Sequence, residues 1–296
     1  MRRHSIRVGP LPEWLDAQRL LGPTHADDPD ARGWTFVATA IAGTRQAEAE
    51  LDGERASDLA ARLRGLVIAG HPIVTEIEPA LARTLVRAGR LADARRRRAT
   101  SVGFERRGVQ LDDEGRWSLT PEALALAIGR SARRARVIDA GCGVGGNAIG
   151  FARAGCEVIA IDVSRERLAM ARHNAGIYGV GEQIRFVHGD ALALVGEFVG
   201  EGTIVFVDPP WGRDWAEREL HLADMPLLAG LRELAEHRRA ALWAKLPAAF
   251  PVAELGGAPE AVFGVGEGDL RRIKFLLVRR DSLRGHDEEI ESAARG

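Results

Sequence analysis

Asp208, Pro209, Pro210 and Trp211 follow four apolar residues, Ile204 to Val207, in the stretch IVFVDPPWGRDW. The apolar run predicts a buried strand, and the paired prolines fix φ so that the turn ending it is preorganised. A rigid turn that holds out a carboxylate, a carbonyl and an indole suits one kind of chemistry: orienting a planar amine whose lone pair is delocalised into a ring. The Asp208 carboxylate and the Pro209 carbonyl can accept hydrogen bonds from the two amine N–H groups. Trp211 offers a face for a stacked base, worth roughly 1–3 kcal/mol, and a positively charged methylated purine would gain a cation–π term. Pro210 and Trp211 form the expected substrate wall, and Arg213 beyond them can meet a phosphate or a carboxylate.

A second constellation, DAGCGVGGN from Asp139 to Asn147, follows the predicted strand ARVIDAG. Gly141, Gly143 and Gly146 fit G-x-G-x-x-G, a turn that lets backbone approach a ligand and that by itself suits a dinucleotide equally well. Asp139, two residues before the first glycine, decides otherwise. A carboxylate there suits the cationic amino-acid end of S-adenosylmethionine and sits badly beside a pyrophosphate. Asp162 closes the second strand about twenty residues past the glycines, within reach of ribose hydroxyls. Gly189-Asp190 closes the third, where Asp190 accepts from an adenine amine or caps the next helix. All these acids fall at the carboxyl ends of successive predicted strands, where open α/β sheets bind their ligands. With a sulfonium-activated methyl group the protein's main contribution is positioning, and no strong general base is needed.

Four stretches in order, GVQLDDEGRWSLTPEALA, the run from DAGCGVGGNAIG to HNAGIYGV, IRFVHGD and VFVDPPWG, resemble the RNA cap guanine-N2 methyltransferases, that is, the trimethylguanosine synthases and their prokaryotic relatives. The resemblance covers roughly residues 104–213, and GVGGN and PPWG are its most distinctive parts. It implies a Rossmann-like class I methyltransferase, S-adenosylmethionine as cofactor, and transfer to guanine N2 in RNA or a (7-methyl)guanosine nucleotide. It further implies that Trp211 stacks on the purine, that Asp208 and Pro209 line the amine, and that Asn147 and Thr120 join the cofactor-binding residues, the segment from Trp117 to Pro121 closing over the cofactor. Three positions depart from the family pattern: Asp208 stands where Ser is frequent, Arg213 replaces the second glycine of W-G-G, and Gly141 replaces a usually bulkier residue. Asp-Pro-Pro-aromatic turns also occur in enzymes that methylate adenine N6 or cytosine N4. A small-molecule N-methyltransferase for a purine-like or guanidine-bearing metabolite is therefore a competing expectation. A non-catalytic RNA-binding protein is a third, and a dehydrogenase would leave DPPW without a task.

The elements that must hold these residues follow from periodicity. From Arg136 the chain alternates strands and helices, predicting an α/β fold with a mainly parallel twisted sheet over residues 136–281. Phe151 and Tyr178 read as core. RRAALWAKL and RRIKFLLVRR supply the later strands. Residues 1–98 are expected to be mostly helical and to serve substrate recognition, with ASDLAARLRGLVIAG and EPALARTLVRAGRLADARRR at helical spacing and Pro79 in a first helical turn. GWTFVATAIAG fits either a strand or a buried helix. Residues 99–135 form a linker and an entry helix in which Thr120 is expected as the hydroxyl cap, and residues 282–296 a polar tail. Trp215 and His221 are candidates for a substrate lid or for ordinary packing.

The formal net charge is −1, so the chain has no global basic field and any nucleic-acid contact must be local. The segment from Arg95 to Arg136, with 11 Arg against 5 acids, is the expected contact for an RNA or nucleotide substrate. Of 41 basic residues only Lys245 and Lys274 are lysine. Cys142 and Cys156 make no metal-ligand spacing, and the eight histidines show none either, so no metal is expected. No apolar run is long enough to span a membrane, and a cytoplasmic setting is the expectation. Oligomeric state is left open.

Overall fold

The computed structural model describes residues 2–98, 103–211 and 220–281, with the Trp117 side chain excepted. Arg213, Trp215 and the tail from 282 onward lie outside the described residues.

Among the described residues the second half of the chain forms a seven-stranded sheet, built from β7 (Arg136–Ala140), β8 (Glu157–Asp162), β9 (Ile184–His188), β10 (Ile204–Val207), β11 (Ala241–Leu246), β12 (Ala258–Phe263) and β13 (Ile273–Arg280). Its order is β12-β13-β11-β10-β7-β8-β9. The pairs from β9 through β11 are parallel, and β13 runs antiparallel to both β11 and β12. This is the doubly wound order 3-2-1-4-5 with a reversed strand inserted before the sixth, the Rossmann-like arrangement expected. Helices α5 (Glu122–Ser131), α6 (Gly146–Arg153) and α7 (Arg165–Ile177) pack on one face. Helices α8 (Ala191–Phe198) and α9 (Pro226–Arg238) pack on the other.

Strand alternation sorts side chains between these faces. Val137, Ala160, Phe206, Trp243 and Leu277 point into the core under α5, α6 and α7, while Ile138, Ile161, Val207, Ala244 and Val278 point into the core under α8 and α9. Phe151 and Tyr178 are buried as expected, Phe151 edge-on to Phe206 with centroids 5.1 Å apart. The same alternation puts Asp139, Asp162, Asp208 and Lys245 on the α6 face. The register then sets Asp208 level with Lys245, because Val207 pairs with Ala244 across parallel strands.

The expectation of a mostly helical first hundred residues is corrected. Strands occupy as much of it as helices do: β1 (Arg3–Pro12), β2 (Thr35–Ala38), β3 (Thr44–Asp52) and β6 (Val74–Glu78) form an antiparallel sheet in the order β2-β3-β1-β6, and β4 (Val67–Ile68) pairs with β5 (His71–Pro72). Strand β1 alternates strictly, with His4, Ile6 and Val8 inward and Arg3, Ser5 and Arg7 outward. Strand β3 reads TRQAEAELD, rich in helix formers, and is strand because β1 and β2 flank it. The undecided GWTFVATAIAG supplies the edge strand β2. Helices α1 (Ala17–Leu21), α2 (Gly53–Leu63) and α3 (Arg83–Arg96) complete this region, and the two predicted helical stretches are α2 and α3. Pro79 lies between β6 and α3, not in a first helical turn, since α3 begins only at Arg83.

This region is fused to the sheet. Its core, centred on Ile6, Val8, Leu11, Leu51, Leu59 and Trp34, continues into Phe263 at the end of β12. Arg19 lies 4.7 Å over the Phe263 ring and donates to the carbonyls of Gly264 and Leu270. The turn between β4 and β5 donates from Ala69 and Gly70 N–H to the carbonyls of Ala248 and Ala249, at 2.8 and 3.0 Å. Those carbonyls lie three and four residues past Lys245, so the N-terminal region abuts the carboxyl end of the sheet.

Candidate cofactor and acceptor site

The glycine turn after β7 is tied to β8 by the N–H groups of Gly141 and Cys142, both donating to the Ile161 carbonyl at 2.9 Å. Gly143 has a left-handed φ of 54°, and a Cβ there would meet nothing within 4 Å, so this backbone faces open space. At Gly146 the opposite holds. A Cβ would lie 2.4 Å from Leu119 Cδ1, so glycine is what allows the segment before α5 to lie against the turn.

That segment is a strap. Asn174, fully buried on α7, accepts from Gln110 N–H at 2.7 Å and donates to the carbonyls of Gln110 and Val144 at 2.9 and 3.0 Å. Arg167, at the start of α7, pairs with Asp112 at 2.8 Å and with Glu114, which precedes the short helix α4 (Gly115–Ser118). The strap is thereby laid over the glycine turn from two points on α7.

Beneath it sit polar atoms that no protein group satisfies. Asp139 is fully buried and neither carboxylate oxygen has a partner in good hydrogen-bond geometry, the Ala148 N–H being the one backbone donor near enough to act on it. Burial pushes its pKa up to about 8, with the Asp208 and Asp162 carboxylates adding to the shift and the Ala148 N–H and Lys245 opposing it. Thr120 Oγ1 and Asn147 Oδ1 are also buried without a partner. Thr120 is not a helix cap: Pro121 takes the cap position of α5 and makes no side-chain cap bond. Asp162 Oδ2 accepts from Gly143 N–H and Oδ1 from Ser164 N–H, each at 2.8 Å. Asp190 Oδ1 accepts from Leu192 N–H at 2.9 Å, so of its two expected roles it fills the cap of α8. Val163, directly after Asp162, is 68% exposed, which places a bare apolar side chain at the end of β8.

Buried unsatisfied oxygens are costly, about 1–3 kcal/mol each, and mark a place where a ligand completes the bonding. The donor set fits S-adenosylmethionine. An orphaned carboxylate among two others suits an ammonium beside a sulfonium, and the open backbone at Gly143 leaves room for the amino-acid chain.

At the other end of the site, Lys245 is the residue that sequence reasoning missed. Its ammonium donates to Asp208 Oδ2 at 2.6 Å and to the Ser118 carbonyl of the strap at 3.1 Å. It lies 5.1 Å from the centroid of the Trp211 ring and 5.3 Å from that of Phe275. Asn147 Nδ2, on α6 next to the glycine turn, reaches the same Asp208 oxygen at 3.4 Å. Among the described residues nothing donates to Asp208 Oδ1. Burial raises the Asp208 pKa, and Lys245 and Asn147 pull against that rise. Pro209 is buried, Pro210 exposed and Trp211 half-buried. Asp139, Asp162, Asn147, Asp208 and Trp211 are therefore neighbours, linked through Lys245 and Asn147 and through the mutual influence of the three carboxylates.

The basic segment does not form one surface. Arg130, Arg133, Arg134 and Arg136 lie at the amino end of β7, opposite the site, and Arg136 pairs with Glu157 at 3.0 Å. Arg106 donates to the Ile177 carbonyl at the far end of α7. Arg96 and Arg97, at the end of α3, pair with Asp58 and Asp93, and Arg116 lies on the strap itself. His221 bonds Glu254 at 2.6 Å.

Residues 134–221 match the family model described as RNA cap guanine-N2 methyltransferase. The trimethylguanosine synthase of Schizosaccharomyces pombe is 39% identical over 113 residues, 36% of this chain and 47% of that protein. That of Saccharomyces cerevisiae is 30% identical over 138 residues, 42% of this chain and 47% of that protein. A release factor glutamine methyltransferase of Deinococcus radiodurans is 36% identical over 138 residues, covering 42% and 47%. The chain thus spans about half the length of these curated relatives. Among solved structures, an RNA methyltransferase from Salinibacter ruber in complex with S-adenosyl-L-homocysteine aligns over 56% of this chain and 94% of that one, at 19% identity and a TM-score of 0.39.

Proposed function

We propose that the chain, whose residues 134–221 match the RNA cap guanine-N2 methyltransferase model, is an S-adenosylmethionine-dependent N-methyltransferase whose acceptor is the guanine N2 amine of RNA or of a (7-methyl)guanosine nucleotide. The observation that carries the reading is the convergence of an orphaned buried carboxylate, Asp139, with the Asp208–Lys245–Trp211 cluster on one face of the sheet.

When bound, S-adenosylmethionine supplies a methyl group already activated as a sulfonium. Asp139 holds the ammonium end, Asp162 the ribose, and Thr120, Asn147 and the Gly143 backbone the remainder. Asp208 Oδ1 accepts an N–H of the amine and so aims the nitrogen lone pair. Its other oxygen is pinned by Lys245, which fixes the carboxylate plane and opposes the rise in pKa that burial causes. The Pro209 carbonyl is the second acceptor. Trp211 stacks the base on the side away from Lys245. As the nitrogen gains the methyl carbon, the sulfur–methyl bond would break with its electron pair staying on sulfur as a neutral thioether, and the proton lost from nitrogen would pass by way of the Asp208 carboxylate to solvent. Arg213 and the N-terminal region are assigned to the acceptor side.

The likeness to release factor glutamine methyltransferases suits this assignment of parts, since a glutamine amide and a guanine amine are both planar NH₂ groups conjugated to a π system. It also defines the second reading, a peptide glutamine acceptor. The test is labelled-methyl transfer to total RNA, to guanosine nucleotides with and without a 7-methyl group, and to a release factor, with the product residue identified by mass. N2-methylguanosine is the expected product. Labelled glutamine, or no transfer to any guanine, would overturn the reading.

A further inference from the structure

Seven arginines stand between Arg83 and Arg98 against one acid, Asp93. Asp93 is buried and already shared by Arg97 and Arg272. Helix α3 packs on α2 through Gly89, whose missing side chain lets Ser57 approach, and through Leu85 and Arg96, the last paired with Asp58. At 100° per residue Arg83, Arg87 and Arg90 project from the opposite side as one stripe, continued by Arg98 past the helix end. Arg95 flanks it. All five are exposed, and among the described residues none has an acid within ion-pair distance.

Helix electrostatics do not account for this stripe. Arginines at a C-terminus complement the helix dipole, which explains Arg95 and Arg96. Arg83 sits in the first turn, where a cation opposes the dipole and where α3 carries no acid to offset it. Nor is this an amphipathic membrane helix: Leu91 is the one large apolar side chain of α3 counted among the exposed hydrophobics.

Helix α3 is tied to the carboxyl end of the sheet. Arg272, which holds Asp93, directly precedes β13 at the carboxyl end of the sheet, and Phe275 three residues on flanks Lys245. Five residue steps separate Arg98 from Gly103, at most about 18 Å of chain, and Gly103 packs on Leu119 of the strap.

We infer that the outer face of α3, through Arg83, Arg87, Arg90, Arg95 and Arg98, is a phosphate-binding track that leads an RNA strand into the acceptor site. The inference rests on the reading of guanine in RNA as the acceptor and deepens it by naming the surface. It also assigns the N-terminal region a task that a free-nucleotide enzyme would not need.

The test is RNA binding without turnover, by fluorescence anisotropy of a labelled single strand at several salt concentrations. The wild-type chain is compared with Arg83→Gln/Arg87→Gln/Arg90→Gln and with Arg130→Gln/Arg133→Gln at the opposite end of the sheet. Losing three phosphate contacts should flatten the slope of log K against log salt by about 2 and weaken binding about tenfold or more. The opposite-end variant should bind as wild type, and both should methylate guanosine mononucleotide at the wild-type rate. An unchanged slope in the stripe variant overturns the inference even where nucleotide methylation proceeds. Equal loss in the opposite-end variant overturns it in favour of diffuse attraction. Wild-type binding to vesicles of anionic phospholipid with none to RNA overturns it in favour of a membrane surface. A stripe-dependent RNA affinity with no guanine methylated would sink the catalytic reading and leave the track standing.

Discussion

Replacing Lys245 with methionine keeps the length and apolar stem of the side chain and removes its charge. The Lys245 side chain is 5% exposed and that of its partner Asp208 16%, so the pair is largely buried, and the 2.6 Å contact is a charge-assisted hydrogen bond. Removing one partner of such a pair leaves a buried charge unmatched, at a cost of about 3–5 kcal/mol if the charge persists. Asp208 escapes part of that cost by taking up a proton. Its pKa is already raised by burial, and Lys245 is the leading influence holding it down, so the variant moves it further upward. A protonated Asp208 no longer offers two acceptor oxygens and loses the contact that fixes its plane. We expect kcat to fall by about 10²-fold at neutral pH, the loss typical of a misplaced reacting group, with cofactor affinity nearly unchanged. The acid limb of the kcat/KM profile should move to higher pH, and part of the activity should return under alkaline conditions. Lys245→Arg should restore the limb without restoring full kcat, because a guanidinium fork cannot take the place of a point charge between Asp208 and the Ser118 carbonyl. Steady-state kinetics across pH, with circular dichroism to verify folding, decide the matter. A uniform loss at every pH with an unmoved acid limb would show that Lys245 merely packs, and the reasoning would fail.

The other predictions bear on separate parts of the site. Asp139 is held protonated in the empty protein up to about pH 8 while its unfolded-state counterpart ionises near 4, so stability falls as pH rises through that window. Asp139→Asn should remove the dependence, stabilise the empty protein at neutral pH by about 1–3 kcal/mol, and abolish cofactor binding; thermal melts and calorimetric titrations check all three. In the wild type, binding a cationic cofactor should expel that proton, so the enthalpy measured at pH 7 should vary with the ionisation enthalpy of the buffer and cease to vary above about pH 9. Trp211→Ala and Asp208→Asn should each remove most turnover with cofactor affinity retained, whereas Asp162→Ala should weaken the cofactor first. Because Lys245 already lies over the Trp211 ring, 7-methylation of the acceptor should raise kcat/KM by less than about tenfold; a larger preference would contradict the placement of the base.

The sheet and its acids were legible because each rests on a local signal. Apolar runs ended by Asp139, Asp162 and Asp208 announce parallel strands whose carboxyl ends meet, and one glycine-rich turn fixes where. Lys245 was not legible in that way. It stands next to last in ALWAKL, near a strand end where a solvated lysine is common, and its meaning depends on β11 lying beside β10 in a register that pairs Val207 with Ala244. One signal was present: in a chain with 39 arginines, a lysine at the end of a buried strand is a choice of point charge over fork. Thr-Pro-Glu fits a cap, yet Pro121 takes that position and the Thr120 hydroxyl is buried and satisfied by no protein group. The N-terminal strands were misread for a different reason. Their residues, as in TRQAEAELD, favour helix locally, and pairing with distant segments overrides that preference.

Lys245 also shows why the N-terminal region and the strap belong to one device. The ammonium bonds the strap at Ser118, the acceptor turn at Asp208 and lies over Trp211, while three residues further on the chain accepts a hydrogen bond from Ala69. A strand entering along α3 would thus press on elements already joined to the carboxylate that aims the amine. Binding energy from phosphates distant from the reacting nitrogen can then be used to hold Asp208 and Trp211 in place, so that truncating the acceptor to a mononucleotide lowers kcat and not only affinity. A metabolite enzyme on the same sheet would show no such dependence, since nothing in its acceptor would reach Arg83.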